Sequence, residues 1–141
     1  MSSAVITTDI GAGLKLLKGT PPAASAAGAV NGAAINRQGF ESCVLHAGSG
    51  AATGSPTTQA LDAKLQDSAD GSTGWADLSG AAITQITAVN SEAHVNVNLR
   101  AAKQFIRVVT TVAFTGGTAP TLGNEAAVVL GGIDTKPPAA Y

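Results

Sequence analysis

Charged and aromatic residues are scarce in this chain. Only 12% of its 141 residues are charged and 4% are aromatic, and the formal net charge is -1. The eight lysines and arginines are scattered, with no two adjacent, whereas phosphate binding needs clustered positive charge. This composition argues against nucleic acid as a main partner, and it leaves too few aromatics for a surface on which bases stack.

Cysteine and long hydrophobic runs are also nearly absent. The single cysteine, Cys43, excludes an internal disulfide. We expect it to be a small buried strand residue, because His46 falls on the opposite face of a strand at that spacing and cannot serve as its base. No run approaches the roughly 20 apolar residues of a membrane span, and the first residues lack the features of a signal peptide. We therefore expect a soluble protein without a membrane partner.

Alternation of apolar and polar residues is the pattern that the chain does have. The clearest case is 93–100, where small or aliphatic residues alternate with polar ones, and 105–112 is apolar on both faces. Seven or eight such segments at short, even spacing predict an all-β fold, an antiparallel β-sandwich or jelly roll. The predicted strands are 4–10, 40–47, 60–68, 75–78, 82–89, 94–100, 104–114 and 125–130, with glycine-rich loops at 48–58 and 115–124.

The first 38 residues differ from the rest in composition. Residues 21–39 are rich in Pro, Gly, Ala and Ser, and such small side chains bury little area to offset the entropy of ordering. We predict an extended, partly irregular N-terminal arm over 1–38, a sandwich domain over 39–132 and a tail over 133–141. Within the arm, 11–18 is expected to be a turn or one short helix. The arm is either flexible or ordered against a neighbouring subunit.

Four aspartates, Asp62, Asp67, Asp70 and Asp77, cluster in one predicted hairpin. A pair of them could hydrolyse a sugar only if two carboxyls faced each other across a cleft. Calcium at Asp67 and Asp70 is a milder alternative, because hard cations take six to eight oxygens from loops of this kind. The interpretation we favour for Asp70 is a hairpin turn, since Asp-Gly supplies the backbone angles that the turn needs.

The remaining candidate residues do not form a reaction centre in the sequence. His46 and His94 could approach each other, but zinc needs a third protein ligand, so we interpret both as polar positions on strands. Trp75 is expected in the core, with stacking on a sugar as the alternative. The chain has no nucleophile elbow and no phosphate loop. We predict no catalytic residue, cofactor or metal, and no enzyme activity.

Three blocks of sequence resemble a known group of proteins. They are LQDSADGSTGWADL, VNVNLRAAKQFIRVVTT and AVVLGG, and the group is the small virion structural proteins of tailed bacteriophages, in particular capsid decoration, or cement, proteins. There, a Ser-x-Asp-Gly-Ser turn and a tryptophan precede a strand with an aromatic residue between basic ones. The resemblance covers 61–132. The matching residues are Ser68, Asp70, Gly71, Ser72, Trp75, Lys103, Phe105, Ile106, Arg107 and 127–132.

The resemblance implies a non-enzymatic protein on the outside of a virion capsid, synthesised in the host cytoplasm. Its partner would be the major capsid protein, and it would assemble as a homo-oligomer, with a trimer favoured. Arg37, Arg100, Arg107 and Tyr141 are the residues we select as polar anchors at such an interface. Two other functions stay open: another virion role, such as a tail-tube or head-completion protein, and a carbohydrate-binding module centred on Trp75, Asp67 and Asp70.

Overall fold

The structure, a computed structural model, describes residues 10–133. Most of the predicted strand at 4–10 and of the predicted tail at 133–141, with Tyr141, lies outside this range; residue 10 belongs to a 3-10 helix and residue 133 to the last strand. A short 3-10 helix at Ile10–Gly13 comes first. The strands that follow are β1 (Lys15–Ser25), β2 (Gly28–Asn31), β3 (Ile35–Asn36), β4 (Phe40–Thr53), β5 (Thr58–Ser68), β6 (Ala76–Ala82), β7 (Glu92–Asn98), β8 (Phe105–Thr115) and β9 (Thr121–Ile133).

The nine strands form two antiparallel sheets, which confirms the predicted β-sandwich. The four-stranded sheet has the order β1-β9-β4-β7, and the five-stranded sheet has the order β2-β8-β5-β6, with β3 also paired to β8. Every pairing between named strands is antiparallel. Strands β4, β5, β8 and β9 are the long inner members, and β1, β7, β2 and β6 form the sheet edges.

The inner faces of the two sheets enclose one hydrophobic core. Period-two alternation puts every second residue of β4, β5 and β9 inward, and β8 follows the same rule over much of its length. Small residues such as Cys43 and Ala47 fill the space between the larger side chains. The largest fully buried side chains are Leu45, Leu61, Leu65, Leu99, Ile106, Leu122, Leu130, Val108 and Val128.

The predicted irregular arm is wrong for residues 15–36. Strand β1 pairs with β9 from Lys15↔Leu130 to Ser25↔Leu122, with register shifts on either side of Thr20. Strands β2 and β3 both pair with β8. A strand at a sheet edge can be rich in alanine and proline, because its stability comes from main-chain bonds to its neighbour more than from its own side chains.

Three local predictions are also wrong. Strands β4 and β9 extend into the predicted loops, as far as Thr53 and from Thr121 onward, and hydroxyls of these two residues lie 2.6 Å apart across the ladder. The turn or short helix predicted at 11–18 is present only up to Gly13, where the 3-10 helix ends, and residues 15–18 belong to β1. The range 82–89 is not a regular strand. There Ile83 and Ile86 are both buried, and this spacing of three departs from strand alternation.

Candidate functional site

The Asp70 turn closes the hairpin between β5 and β6, as predicted. The backbone N–H groups of Ser72 and Thr73 donate to Asp70 Oδ1 at 2.9 and 2.8 Å, and the Thr73 hydroxyl donates to Oδ2 at 2.8 Å. Ser68, which is fully buried, donates to the same carboxylate at 3.0 Å. Gly71 has a φ of 77°, which a glycine adopts without strain. Both oxygens of the Asp70 carboxylate therefore accept hydrogen bonds that stabilise the turn.

The turn makes stability depend on pH. The hydrogen bonds from Thr73 and Ser72 hold the pKa of Asp70 well below its ordinary value, which is about 3.9 in an unfolded chain. Because the folded-state pKa is depressed, the stabilisation is complete above the unfolded pKa and is lost as the pH falls through the folded pKa. We expect the difference in free energy of unfolding between wild type and Asp70→Asn to be largest above about pH 5 and to shrink below about pH 4.

Urea unfolding of both proteins across this pH range measures that difference. Thr73→Val, which keeps the carboxylate and removes one hydrogen bond to it, should show a smaller effect of the same sign. A difference between wild type and Asp70→Asn that stays constant with pH contradicts the prediction.

Trp75 lies outside the core, contrary to our expectation. Its side chain is half-buried beside the outer face of the five-stranded sheet, where the guanidinium of Arg107 lies 4.5 Å from the ring centroid.

Arg107 also donates two hydrogen bonds to Gln66 Oε1, at 2.9 and 2.7 Å. Gln66 and Lys64 in turn donate to Asp77, each at 2.9 Å, and these bonds, with that of Gln66 the larger cause, lower the pKa of Asp77. The result is a continuous polar network.

The four aspartates do not gather at one point. Asp67 faces inward, buried, and accepts a hydrogen bond from the backbone N–H of Lys103 at 3.0 Å. Asp62 accepts one from Gln85 at 2.9 Å. Within residues 10–133, no three His, Cys, Asp or Glu side chains are arranged to hold a metal ion. Asp67 and Asp70 thus have separate hydrogen-bond partners, the first in the sandwich interior and the second within its own turn.

The two histidines face each other directly across β4 and β7. His46 Nε2 lies 3.4 Å from Glu92 Oε2, and its Nδ1 lies 3.8 Å from Glu125 Oε1. These two glutamates were missed in the sequence, because the register that brings them beside His46 depends on pairings distant in the chain. Cys43 points inward, as predicted, and burial raises the pKa of its thiol to about 11.

The selected interface arginines have different surroundings. Arg37 is half-buried and donates to the backbone carbonyls of Lys103 at 3.0 Å, Phe40 at 3.1 Å and Ala102. The guanidinium of Arg107 contacts Gln66 and the Trp75 ring, as described above. Arg100 is different: its side chain is 72% exposed, with one contact of 3.4 Å to Glu41. Their role at an interface stays a prediction, and Arg100 is the one whose guanidinium is mainly open to solvent.

No helix within the described range has the length and apolar character to cross a membrane. No protein-family model and no curated protein sequence matches the chain. Among solved structures, it is similar to the SPBc2 prophage-derived protein YomS, with 13% identity, a TM-score of 0.46, and coverage of 82% of this chain and 92% of that one.

Two further solved structures are similar to the chain. One comes from Bacillus endospore appendages, which form a family of disulfide-linked pili. It has 15% identity, a TM-score of 0.42, and coverage of 86% of this chain and 90% of that one. The other is infectious bursal disease virus, Gt strain, with 10% identity, a TM-score of 0.49, and coverage of 90% of this chain and 33% of that one. At these identities and TM-scores, such likenesses assign neither a family nor a function.

Proposed function

We propose that this chain is a virion structural protein of a tailed bacteriophage, specifically a capsid decoration protein that binds the outer capsid surface. One observation carries the proposal. The matching residues of the first two blocks of the resemblance, 68–75 and 103–107, lie about 30 positions apart in the chain and come together in the fold as one structural unit, whereas the third block, 127–132, lies on β9 in the other sheet. Residues brought together in this way act as a three-dimensional motif, which gives the resemblance more weight than scattered matches would have.

The unit joins the β5–β6 turn to the start of β8. Ser68 pairs with Phe105 in the ladder, and a Cβ on Gly71 would come within 3.0 Å of the Phe105 ring. Arg107 then lies over Trp75. Gly71 leaves room for the Phe105 ring and Arg107 covers the Trp75 indole, so these four matching residues pack against one another in this chain.

A binding role also fits the way polar groups are used. The carboxylates of Asp67, Asp70 and Asp77 accept hydrogen bonds that hold strands and turns, and the two grooves lined by His46 and by Arg100 are open to solvent. A decoration protein acts by adding contact area between capsid subunits, and interface cores are depleted in charged residues. The low charge of this chain supports that role.

The proposed partner is the major capsid protein, with copies of this chain grouped as trimers on the capsid. Since residues 15–36 belong to the sandwich, the segments we propose for contact with neighbouring subunits are 1–9 and the tail that ends in Tyr141. Contacts from several copies would raise avidity without any single strong site.

The test is to add the purified protein to capsids of its phage that lack it, and to locate it by cryo-electron microscopy. We expect density on the outer capsid surface, with reduced occupancy for a variant lacking residues 1–9. Arg100→Ala is a second variant that should lower occupancy, and Asp62→Asn, on the outer face of the five-stranded sheet, is the control. Density in the tail tube or at the portal instead would show the alternative virion role, and no binding to any particle would refute both.

A carbohydrate-binding module remains the second candidate, because Trp75 is half-exposed beside a polar network and not in the core. Arg107 covers one face of its indole, so a sugar would stack on the other. A glycan array is the direct measurement. Binding to a glycan that Trp75→Ala abolishes, with the fold intact, would favour this function, whereas an array without hits would exclude it.

A further inference from the structure

The outer face of the four-stranded sheet is apolar at its centre. The register of the four strands aligns Leu16, Val129, Val44 and Asn96 in one row across it. Leu16 is 72% exposed, although it sits on a sheet and not at a loop tip. Exposed apolar side chains that form a contiguous surface rimmed by polar residues mark interaction sites. Leu14, 40% exposed, extends this patch by lying over Gly131.

Charges of opposite sign lie at the two ends of this face. Along β7 the outward residues are Glu92, His94, Asn96 and Asn98, and Arg100 follows just beyond the strand. Glu92 and Arg100 are each four positions from Asn96, which puts them roughly 13 Å to either side of the central row. Both are open to solvent, with side chains 79% and 72% exposed.

We propose that this face binds the same face of a second copy about a two-fold axis. We call it the pairing face, meaning the central row with Leu14, Glu92 and Arg100. An axis along the central row would reverse the strand direction and bring each strand over its symmetry mate. Glu92 of each copy then opposes Arg100 of the other, and the apolar residues of the row oppose themselves. Such self-complementarity is what a two-fold interface requires.

The area of the face is sufficient for a reversible pair. Four strands spaced about 4.8 Å apart, over about nine residues of strand length, give roughly 600 Å² on each copy. The total of roughly 1,200 Å² lies at the lower end of specific interfaces. Two sheets packed face to face with strands nearly aligned are also a common arrangement in β-proteins. We therefore expect association of the free protein in the micromolar range.

Sedimentation of the purified protein from about 1 to 300 micromolar tests the pairing. Wild type should shift from monomer to dimer. Glu92→Arg and Arg100→Glu should each weaken dimerisation by about tenfold or more, because each places like charges together at two symmetric positions. Asp62→Lys, which makes the same charge change as Glu92→Arg on the five-stranded sheet, should dimerise as wild type does.

Mixing the two charge-reversal variants is the decisive measurement. In a mixed pair, the arginine introduced at position 92 meets the glutamate introduced at position 100, and the two unchanged residues also meet as opposite charges. The mixture should dimerise at least as well as wild type, while each variant alone stays largely monomeric. A wild-type monomer throughout the range, a trimer, or a mixture that does not associate would each overturn the proposal. These measurements need no capsid, so they fail or succeed independently of the decoration function.

Discussion

A chain truncated to residues 39–141 is expected not to fold. This range contains what the sequence pattern identifies as the complete sandwich, yet it lacks β1, β2 and β3. Loss of β1 exposes the edge of β9, and loss of β2 and β3 exposes the edge of β8. Each ladder hydrogen bond contributes about 0.5–1.5 kcal/mol net, so removal of three strands approaches the whole stability of a domain, about 5–15 kcal/mol.

Two side chains make this loss larger than the ladders alone. Ile35, on β3, is buried in the core, and removal of a buried isoleucine side chain costs about 2–5 kcal/mol. Arg37 holds the connection between β7 and β8 through the carbonyls of Ala102 and Lys103. Without it, these carbonyls lose a charged donor. We expect the truncated chain to be unfolded or aggregated at 25 °C.

Circular dichroism melts and amide NMR dispersion will show whether a cooperative fold remains. The matched control begins at Ile10 and keeps all nine strands, and it should melt cooperatively, close to the full chain. If the 39–141 chain also melts cooperatively, residues 15–36 are dispensable and the assignment of β1 to the sandwich is refuted.

The sequence predicted the inner strands better than the edges, for a physical reason. Strand β8 and the inward face of β4 are dense in aliphatic residues. Burial on a sheet face requires such residues, so it leaves a hydrophobic pattern that can be recognised in the sequence. Strand β1 carries two prolines and two alanines in its second half, and its stability comes from pairing with β9. Main-chain pairing of this kind leaves no periodic pattern in the strand itself.

Side-chain neighbourhoods were predictable only where they are local. The Asp70 turn involves residues within five positions of each other, so its role followed from Asp-Gly alone. The approach of Glu125 to His46 depends on the β4–β9 register across nearly 80 positions. Trp75 was assigned to the core from its hydrophobicity, whereas Arg107, more than 30 positions away, holds it at the surface.

Gly32→Ala is expected to destabilise the domain by about 3 kcal/mol or more, beyond the usual cost of overpacking a core. The added Cβ would lie 2.0 Å from the carbonyl oxygen of Gly19 and 3.1 Å from that of Val108. These are backbone atoms of β1 and β8, so no side-chain rotation can relieve the clash. Gly32 also donates its own N–H to Val108 O at 2.7 Å, which ties it to β8 and prevents it from moving away.

The matched control is Gly13→Ala, where a Cβ meets nothing within 4 Å. It should change the free energy of unfolding by less than about 0.5 kcal/mol. For a domain of this size, 3 kcal/mol corresponds to a fall of roughly 10 °C in Tm, so thermal melts separate the two variants clearly. Equal Tm values for the two variants would mean that the backbone of β1 does not contact Gly32. The close approach of Gly19 and Gly32 brings the first strand of the four-stranded sheet against β8 of the other. The effect of this one methyl group therefore tests whether the N-terminal strands are built into the sandwich.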